Sequence, residues 1–201
     1  PEIEQVGPGS CPKCGMDLEP KTIALDEEED HSEADMTRRF WVGVVLSLPL
    51  LLLAMGPMIG LPIHNWISYD VAGWLQCLLA TPVVLWSGWP LLVRGWQSVV
   101  HRSPNMFTLI AIGTLTAFVF SVFAIVFPSL IPEAFYEDGQ PPLYFEAAAV
   151  IITLVLLGQV LELRARKRTS GAIRELLELA PEVAHRVSGS GEEDVPLDQV
   201  Q

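Results

Sequence analysis

The sequence is short of charge, cysteine and basic residues, and each shortage excludes a class of protein. Only 18% of the 201 residues are charged, against about 25% in a typical soluble domain. Three cysteines are too few for a disulfide-stapled scaffold. Twelve Lys and Arg against 24 Asp and Glu give a net charge of −12, which argues against a nucleic-acid-binding protein because phosphates require clustered positive charge. Half of the residues are hydrophobic, which excludes a disordered chain.

Charge is missing altogether from four long stretches. No Asp, Glu, Lys, Arg or His occurs in residues 40–63, 71–93, 103–132 or 147–161. A membrane-spanning helix needs about 20 mainly apolar residues, and the fourth stretch reaches that length if its span begins at Pro142 and includes Glu146. One such stretch would also fit a buried helix of a soluble protein, but four leave too little polar surface to cover a soluble core. The sequence therefore predicts a mainly α, polytopic membrane protein with four transmembrane helices.

The positions of Lys and Arg predict the orientation in the membrane. All of them lie before the first apolar stretch, between the second and the third, or after the fourth, whereas the loops at 59–70 and 128–141 contain none. By the positive-inside rule, both termini then face the cytoplasm in a multi-pass protein of the cell (inner) membrane. No secretory signal precedes residue 40, so Cys11 and Cys14 are expected to be reduced thiols.

Proline, glycine and capping residues place the helix ends. We expect a first helix over 37–58 with a kink at Pro49, a second helix from Tyr69 or Asp70, and a third that is capped by Ser103 and runs to about residue 127. The fourth begins near Leu143, and no residue that would end a helix follows before Pro181. Its length of about 39 residues, roughly 58 Å, means that it must project beyond the bilayer.

The second helix is broken at Ser87-Gly88-Trp89-Pro90, because Pro90 has no N–H for the carbonyl of Trp86. After this break the sequence has one polar and one apolar helical face. The polar face comprises Arg94, Gln97, Ser98, His101 and Arg102, and the apolar face comprises Leu91, Leu92, Trp96, Val99 and Val100. The pattern predicts an amphipathic platform helix at the cytoplasmic surface, with Trp89 and Trp96 at headgroup depth. The alternative is an ordinary proline kink inside one continuous span.

Composition divides the chain into five segments. Residues 1–22 are rich in Cys, Pro and Gly, and residues 23–36 form an acidic linker that we expect to be solvated and mobile. Residues 37–102 hold the first two transmembrane helices with the platform, and residues 103–180 hold two core helices and a stalk. Residues 181–201 alternate short apolar stretches with glycines, which indicates the opening strands of a β-rich domain. We interpret the chain as a fragment that is open at both ends.

Cys11-Pro-Lys-Cys14-Gly-Met16 has the spacing of a metal knuckle. Two thiolates separated by two residues can hold one soft ion, and the Met16 thioether favours Cu(I). The pair is half of a tetrahedral site, so either further ligands lie upstream or the coordination number is two to three. A redox Cys-X-X-Cys is the alternative, but no βαβ pattern surrounds it.

Three further residues are candidate ligands in the membrane region. Met106 would start the third helix and could be a soft ligand there, although methionine more often fills a core. Glu162 and Glu146 lie near opposite ends of the fourth helix, where Glu162 could instead pair with Arg166 and Glu146 could instead stabilise the helix N-terminus. The two carboxylates are roughly 24 Å apart along a helix. They cannot share one ion, but they could mark the two ends of one path.

Taken together, these stretches resemble the N-terminal part of a heavy-metal P-type ATPase of the copper-exporting branch. The similar stretches are the segment 1–16, Trp86-Ser87-Gly88-Trp89-Pro90, residues 105–110 (NMFTLI), 144–149 (YFEAAA) and 157–162 (LGQVLE), and the stalk at 165–187. The family's usual Gly-Gly at the kink is Ser87-Gly88 here. The resemblance implies a truncated heavy-metal-binding segment at 1–22 and the start of the actuator domain at 181–201.

The resemblance also implies roles for individual residues. Met106 and Glu162 would form part of a transient entrance site for Cu(I), and Glu146 would lie on the release path. Metal in the N-terminal segment would be bound by Cys11, Cys14 and Met16. The residues implied in docking a copper chaperone, or another Cu(I) donor, at the platform are Ser87, Gly88 and Arg94.

At full length, the resemblance implies a Cu(I)-translocating ATPase that uses ATP and Mg²⁺. Neither Asp-Lys-Thr-Gly nor Thr-Gly-Glu occurs in the 201 residues, so no catalytic residue is expected here and this piece alone should not hydrolyse ATP. The expected partners are the lipid bilayer and a Cu(I) donor, not nucleic acid. Two alternatives stay open: a pump for silver or another heavy metal, and, if the chain were complete, a non-enzymatic four-helix membrane protein that binds metal.

Overall fold

The computed structural model describes residues 11, 27–56, 60, 67–136, 140–178, 183–188 and 191–196. Its five α-helices are α1 (Glu27–Met55), α2 (Tyr69–Pro82), α3 (Trp89–Val100), α4 (Met106–Val126) and α5 (Phe145–Glu178). A π-helical turn, Val83–Ser87, joins α2 to α3, and two 3-10 turns, Pro128–Leu130 and Glu133–Phe135, follow α4. The last elements are the strands β1 (Val183–Ser188) and β2 (Gly191–Pro196), which pair as an antiparallel hairpin.

Four helical stretches have the length and composition to cross a membrane: Ser32–Met55, Tyr69–Ser87, Met106–Val126 and Phe145–Arg168. Each overlaps one of the four uncharged stretches in the sequence, so the prediction of four transmembrane helices is confirmed. Large apolar side chains such as Leu109, Leu78 and Val45 are exposed on the outside of the bundle. Acyl chains of a bilayer would cover such a surface.

Helix α5 lies at the centre of the bundle and packs against α1, α2 and α4. Its buried apolar residues recur at three- and four-residue spacing and are Phe145, Ala148, Ala149, Ile152, Leu156 and Val160. Small and polar side chains lie where α5 contacts α1. The hydroxyls of Ser47 on α1 and Thr153 on α5 are 3.0 Å apart. A Cβ on Gly43 would lie 2.9 Å from Thr153 Oγ1, so glycine at this position allows the two helices their close approach.

Helix α1 begins earlier than the sequence indicated. The residues from Glu27 to Met36 are helical, although they fall in the stretch that we expected to be a mobile acidic linker. Glu33 accepts a hydrogen bond from Arg164 Nε at 3.2 Å and lies 3.7 Å from Lys167 Nζ. The basic part of α5 therefore pairs with the acidic part of α1, a contact between residues far apart in the chain that hydropathy does not reveal.

The start of α4 also differs from the expectation. Asn105, rather than Ser103, is the N-cap: its side-chain oxygen accepts from the N–H of Thr108, and the Thr108 hydroxyl accepts from the N–H of Asn105. This reciprocal pair satisfies N–H groups that the first helical turn leaves without intrahelical partners. Met106 therefore becomes the first residue of α4.

The long fourth helix and the strands after it agree with the sequence. Helix α5 has 34 residues and a length of about 51 Å, so it extends past a hydrocarbon core of about 30 Å. The hairpin pairs Val183 with Pro196 and Ser188 with Gly191, within the segment where we expected opening strands. That this hairpin starts an actuator domain stays a prediction.

Candidate functional site

The kink between α2 and α3 is a π-turn followed by a glycine and a proline. The N–H of Gly88 donates to the carbonyl of Val83 at 2.9 Å, which is the wide spacing of a π-turn. Pro90 has no N–H to offer the carbonyl of Trp86. Instead, Nη1 of Arg39 on α1 donates to that carbonyl oxygen. The expected break is confirmed, and a side chain of another helix satisfies the carbonyl that it leaves.

Ser87 and Gly88 lie inside the bundle, and Ser87 has no exposed surface. A Cβ on Gly88 would lie 2.6 Å from the carbonyl oxygen of Val84 and 2.9 Å from Cδ1 of Ile152 on α5. Neither residue can therefore touch a docking partner directly. Their contribution to the expected platform is to let the chain bend tightly against α5.

Helix α3 rests on the start of α4, with Leu91, Gly95 and Ser98 buried. A Cβ on Gly95 would lie 2.7 Å from both the Ala111 Cβ and the Phe107 carbonyl oxygen, so α3 crosses α4 at this glycine. The hydroxyls of Ser98 and Thr108 are hydrogen-bonded. The sequence pattern placed Ser98 on the solvated face; this is wrong, because Ser98 is completely buried.

The outer face of α3 is exposed and mixed in character. Its exposed residues are Trp89, Trp96, Gln97, Val99 and Val100. Tryptophan favours the boundary between lipid and water, which fits the expected amphipathic platform. We call the end of the bundle where α3 packs on α4 the platform end.

A chain of polar contacts joins α3 to α5 at the platform end. Nη1 of Arg94 donates to Oε1 of Gln159 at 2.9 Å, and Nε2 of Gln159 donates to Oε2 of Glu162 at 3.1 Å. The other carboxylate oxygen of Glu162 accepts from Nη2 of Arg166 at 2.7 Å. The alternative role for Glu162, an i,i+4 pair with Arg166, is thus present, but it uses only one of the two carboxylate oxygens.

Met106 lies at the same end of the bundle as this chain of contacts, next to Phe107 in the first turn of α4. The Arg94 guanidinium sits over the ring of Phe107, 5.3 Å from its centroid, so the first turn of α4 and the Glu162 region of α5 both touch Arg94. Met106 itself is 60% exposed and is therefore not a core filler. The structure places Met106, Arg94 and Glu162 at the same end of the bundle.

Glu146 lies at the opposite end, in the first turn of α5. Its Oε2 atom is enclosed and has no hydrogen-bond partner among the described residues. Sixteen residues of one helix separate it from Glu162, about 24 Å along the axis, so the two carboxylates are separate sites.

The described part of the chain holds no group of three or more His, Cys, Asp and Glu side chains that could close around a metal ion. Met106 and Glu162 could offer an ion one thioether and one carboxylate, which is a weak mixed set for a soft ion. Of the N-terminal knuckle, Cys11 is described and is partly buried, whereas Cys14 and Met16 lie outside the described residues.

Comparison with known proteins shows which proteins this chain resembles. Residues 1–21 match the family described as heavy metal binding domain. The whole chain is 52% identical to a copper-exporting P-type ATPase of Legionella pneumophila and covers 27% of that protein. The chain is homologous to the heavy-metal P-type ATPases. It is also 52% identical over its whole length to a copper-transporting P-type ATPase of Rhizobium leguminosarum, covering 24% of it. Over 96% of its length, the chain is 54% identical to a silver exporting P-type ATPase of Salmonella typhimurium, and it covers 24% of that protein.

The chain thus spans about a quarter of the length of these P-type ATPases, in their N-terminal part. The family resemblance noted from the motifs is confirmed over the whole chain. The relatives are named as P-type ATPases, which are translocating enzymes, and the similarity includes all four membrane-spanning helices described above.

Two residues of the site were not assigned from the sequence. Gln159 joins Arg94 to Glu162, and Arg39 satisfies the carbonyl at the kink. A glutamine in an otherwise apolar helix was a usable signal for the first, because buried amides need partners. No comparable signal existed for Arg39, since its partner is a backbone carbonyl 47 residues away.

Proposed function

We propose that this chain forms the membrane entrance portion of an ATP-driven Cu(I) exporter. In this proposal both termini face the cytoplasm, and Cu(I) arrives from a chaperone or another donor at the platform end. The single observation that best supports the proposal is the chain of contacts from Arg94 through Gln159 to Glu162, at the same end of the bundle as the exposed Met106. It ties the surface helix α3 to a carboxylate on the central helix.

The chemistry at this end suits brief binding. A thioether is a soft ligand for Cu(I), while a carboxylate is hard and holds it weakly. Glu162 already accepts hydrogen bonds from Gln159 and Arg166, so an ion would compete with them for the negative charge of the carboxylate. A site of this kind hands its ion onward rather than storing it.

Glu146 is proposed as part of the release path at the other end of α5. Its enclosed Oε2 atom has no partner among the described residues, which leaves a carboxylate oxygen available to a passing cation or proton. The segment with Cys11, Cys14 and Met16 is proposed to bind the same metal before or beside transport, in agreement with the heavy metal binding domain that matches residues 1–21.

Silver is the second candidate cargo. The identity to the silver exporting P-type ATPase is 54% and that to the two copper pumps is 52%, so identity does not separate the two ions. Both are soft monovalent cations that accept thioether and thiolate ligands.

The proposal is tested by substituting Met106 in the full-length protein. Met106→Leu keeps the size of the side chain but removes the sulfur, so we expect the metal concentration for half-maximal ATPase stimulation to rise by about tenfold, the lower end of what altered metal sites lose. Met55→Leu is the matched control, because Met55 is also an exposed methionine at a helix end. Parallel titrations with Cu(I) and Ag(I) identify the preferred ion. Unchanged stimulation of Met106→Leu by both ions would remove Met106 from the entrance.

A further inference from the structure

An apolar groove of about 600 Å³ runs along the outside of α2 and ends at the π-turn. Residues lining it include Trp74, Leu78, Pro82, Leu85 and Trp86. Leu78 is 68% exposed, so the groove opens away from the bundle, toward the space that a bilayer would fill. Its volume is within the range of about 300–1,000 Å³ that is usual for sites of small ligands.

Two cations sit at the end of this groove. The guanidinium groups of Arg38 and Arg39 lie over the ring of Trp86, 5.6 Å and 4.9 Å from its centroid. Arg39 is engaged elsewhere: it pairs with Asp35 at 2.7 Å and donates to the carbonyl of Trp86. Arg38 is exposed, and no carboxylate of the described residues pairs with it.

We propose that Arg38, Trp86 and the groove bind one anionic phospholipid. The phosphate lies at the Arg38 guanidinium, and one acyl chain lies in the groove along α2. An anionic headgroup would give Arg38 the negatively charged partner that no described carboxylate provides, and a basic residue near an anionic membrane surface gains about 1 kcal/mol from it. The inference rests on the membrane embedding of the proposed function, but not on its metal or its reaction.

The chemistry of the groove favours a lipid over another helix of the protein. A helix that covered the groove would have to bring an acid to Arg38 or leave its charge facing apolar side chains, which is costly. Trp86 instead lines the groove and stacks with the cation, and tryptophan belongs at the boundary between acyl chains and headgroups. Because Arg38 is on α1 and the groove is on α2, the bound lipid would link these two helices at the kink.

Native mass spectrometry of the complete protein tests this proposal without copper or ATP, so its result is independent of transport. The protein is incubated with equal amounts of phosphatidylglycerol and phosphatidylcholine that have identical acyl chains. We expect the wild type to retain phosphatidylglycerol preferentially and Arg38→Gln to retain about fivefold less of it, the fold-change that corresponds to about 1 kcal/mol.

Two matched controls separate the site from general effects. Arg102→Gln removes another exposed cation, just after α3, and should leave the retention unchanged. Leu78→Trp fills the groove and should lower the retention of both lipids, whereas Leu109→Trp, on the exposed face of α4, should not. Equal retention of the two lipids by the wild type, equal losses in Arg38→Gln and Arg102→Gln, or no effect of Leu78→Trp would each overturn the proposal.

Discussion

The Arg39 side chain donates a hydrogen bond to the carbonyl oxygen of Trp86, 47 residues further along the chain. The proline four residues after Trp86 removes the N–H that would bond this carbonyl in a regular helix. A carbonyl that lacks its helical partner loses a hydrogen bond, and the Arg39 side chain on α1 provides a replacement for it. The kink is thus a joint property of α1 and α2.

This relationship predicts a non-additive pair of substitutions. Arg39→Gln should lower the free energy of unfolding by about 2 kcal/mol, the usual contribution of a hydrogen bond to a charged group. In a Pro90→Ala background, the new N–H can bond the Trp86 carbonyl, so the same change should cost clearly less. Thermal unfolding of the four proteins in detergent measures the cycle. Equal losses in both backgrounds would show that Arg39 does not act through this carbonyl.

A second prediction concerns the crossing of α3 and α4. In Gly95→Ala, the added methyl would lie 2.7 Å from the Phe107 carbonyl oxygen and from the Ala111 Cβ. Neither atom can rotate away, so we expect a loss of about 1–3 kcal/mol. Gly113→Ala is the control on the same helix pair, because a Cβ there meets no atom within 4 Å, and it should stabilise by a few tenths to about 1 kcal/mol. A Gly95→Ala protein with wild-type thermal stability would contradict the close packing.

A third prediction tests the pairing of α1 with the extension of α5. Glu33 lies 3.2 Å from Arg164 and 3.7 Å from Lys167, both of which are more than half exposed. Removing the charge in Glu33→Gln should therefore cost less than about 1 kcal/mol. Glu33→Lys should cost more, because it puts a third cation beside these two.

The charge swap is the control for this pair. Adding Arg164→Glu to Glu33→Lys restores opposite charges and should recover most of the lost thermal stability. The differences should shrink in about 1 M salt, where charges are screened within about 3 Å. If the double variant were no more stable than Glu33→Lys alone, residues 33 and 164 would not form the ion pair described above.

The membrane helices could be predicted because their signal is local. Long uncharged stretches fixed the number of spans, and Pro90 located the break. The start of α1 could not be predicted in this way, since residues before Met36 are polar and acidic. The helix in this stretch is supported by ion pairs from Glu33 to α5. No pattern in the sequence near Glu33 predicts these ion pairs. Likewise, Ser98 is buried because α4 packs against it, and the sequence of α3 alone does not show that contact.

The candidate site was predictable in part for the same reason. Met106, Glu162 and Glu146 were singled out by residue type and helix position, and the family resemblance supplied their roles. The link from Arg94 to Glu162 through Gln159 is tertiary, so it required the positions of α3 and α5. Ser87 and Gly88 were expected to help dock a partner, but both are buried. The turn motif in the sequence does not reveal that burial.

The unbroken course of α5 has a consequence for its two carboxylates. Sixteen residues at about 100° each bring Glu146 and Glu162 about 160° apart around the helix axis, on nearly opposite flanks. If α5 turns as a rigid rod, the two groups swing in opposite directions. A rotation of α5 would therefore change the surroundings of both carboxylates together, although they lie at opposite ends of the helix.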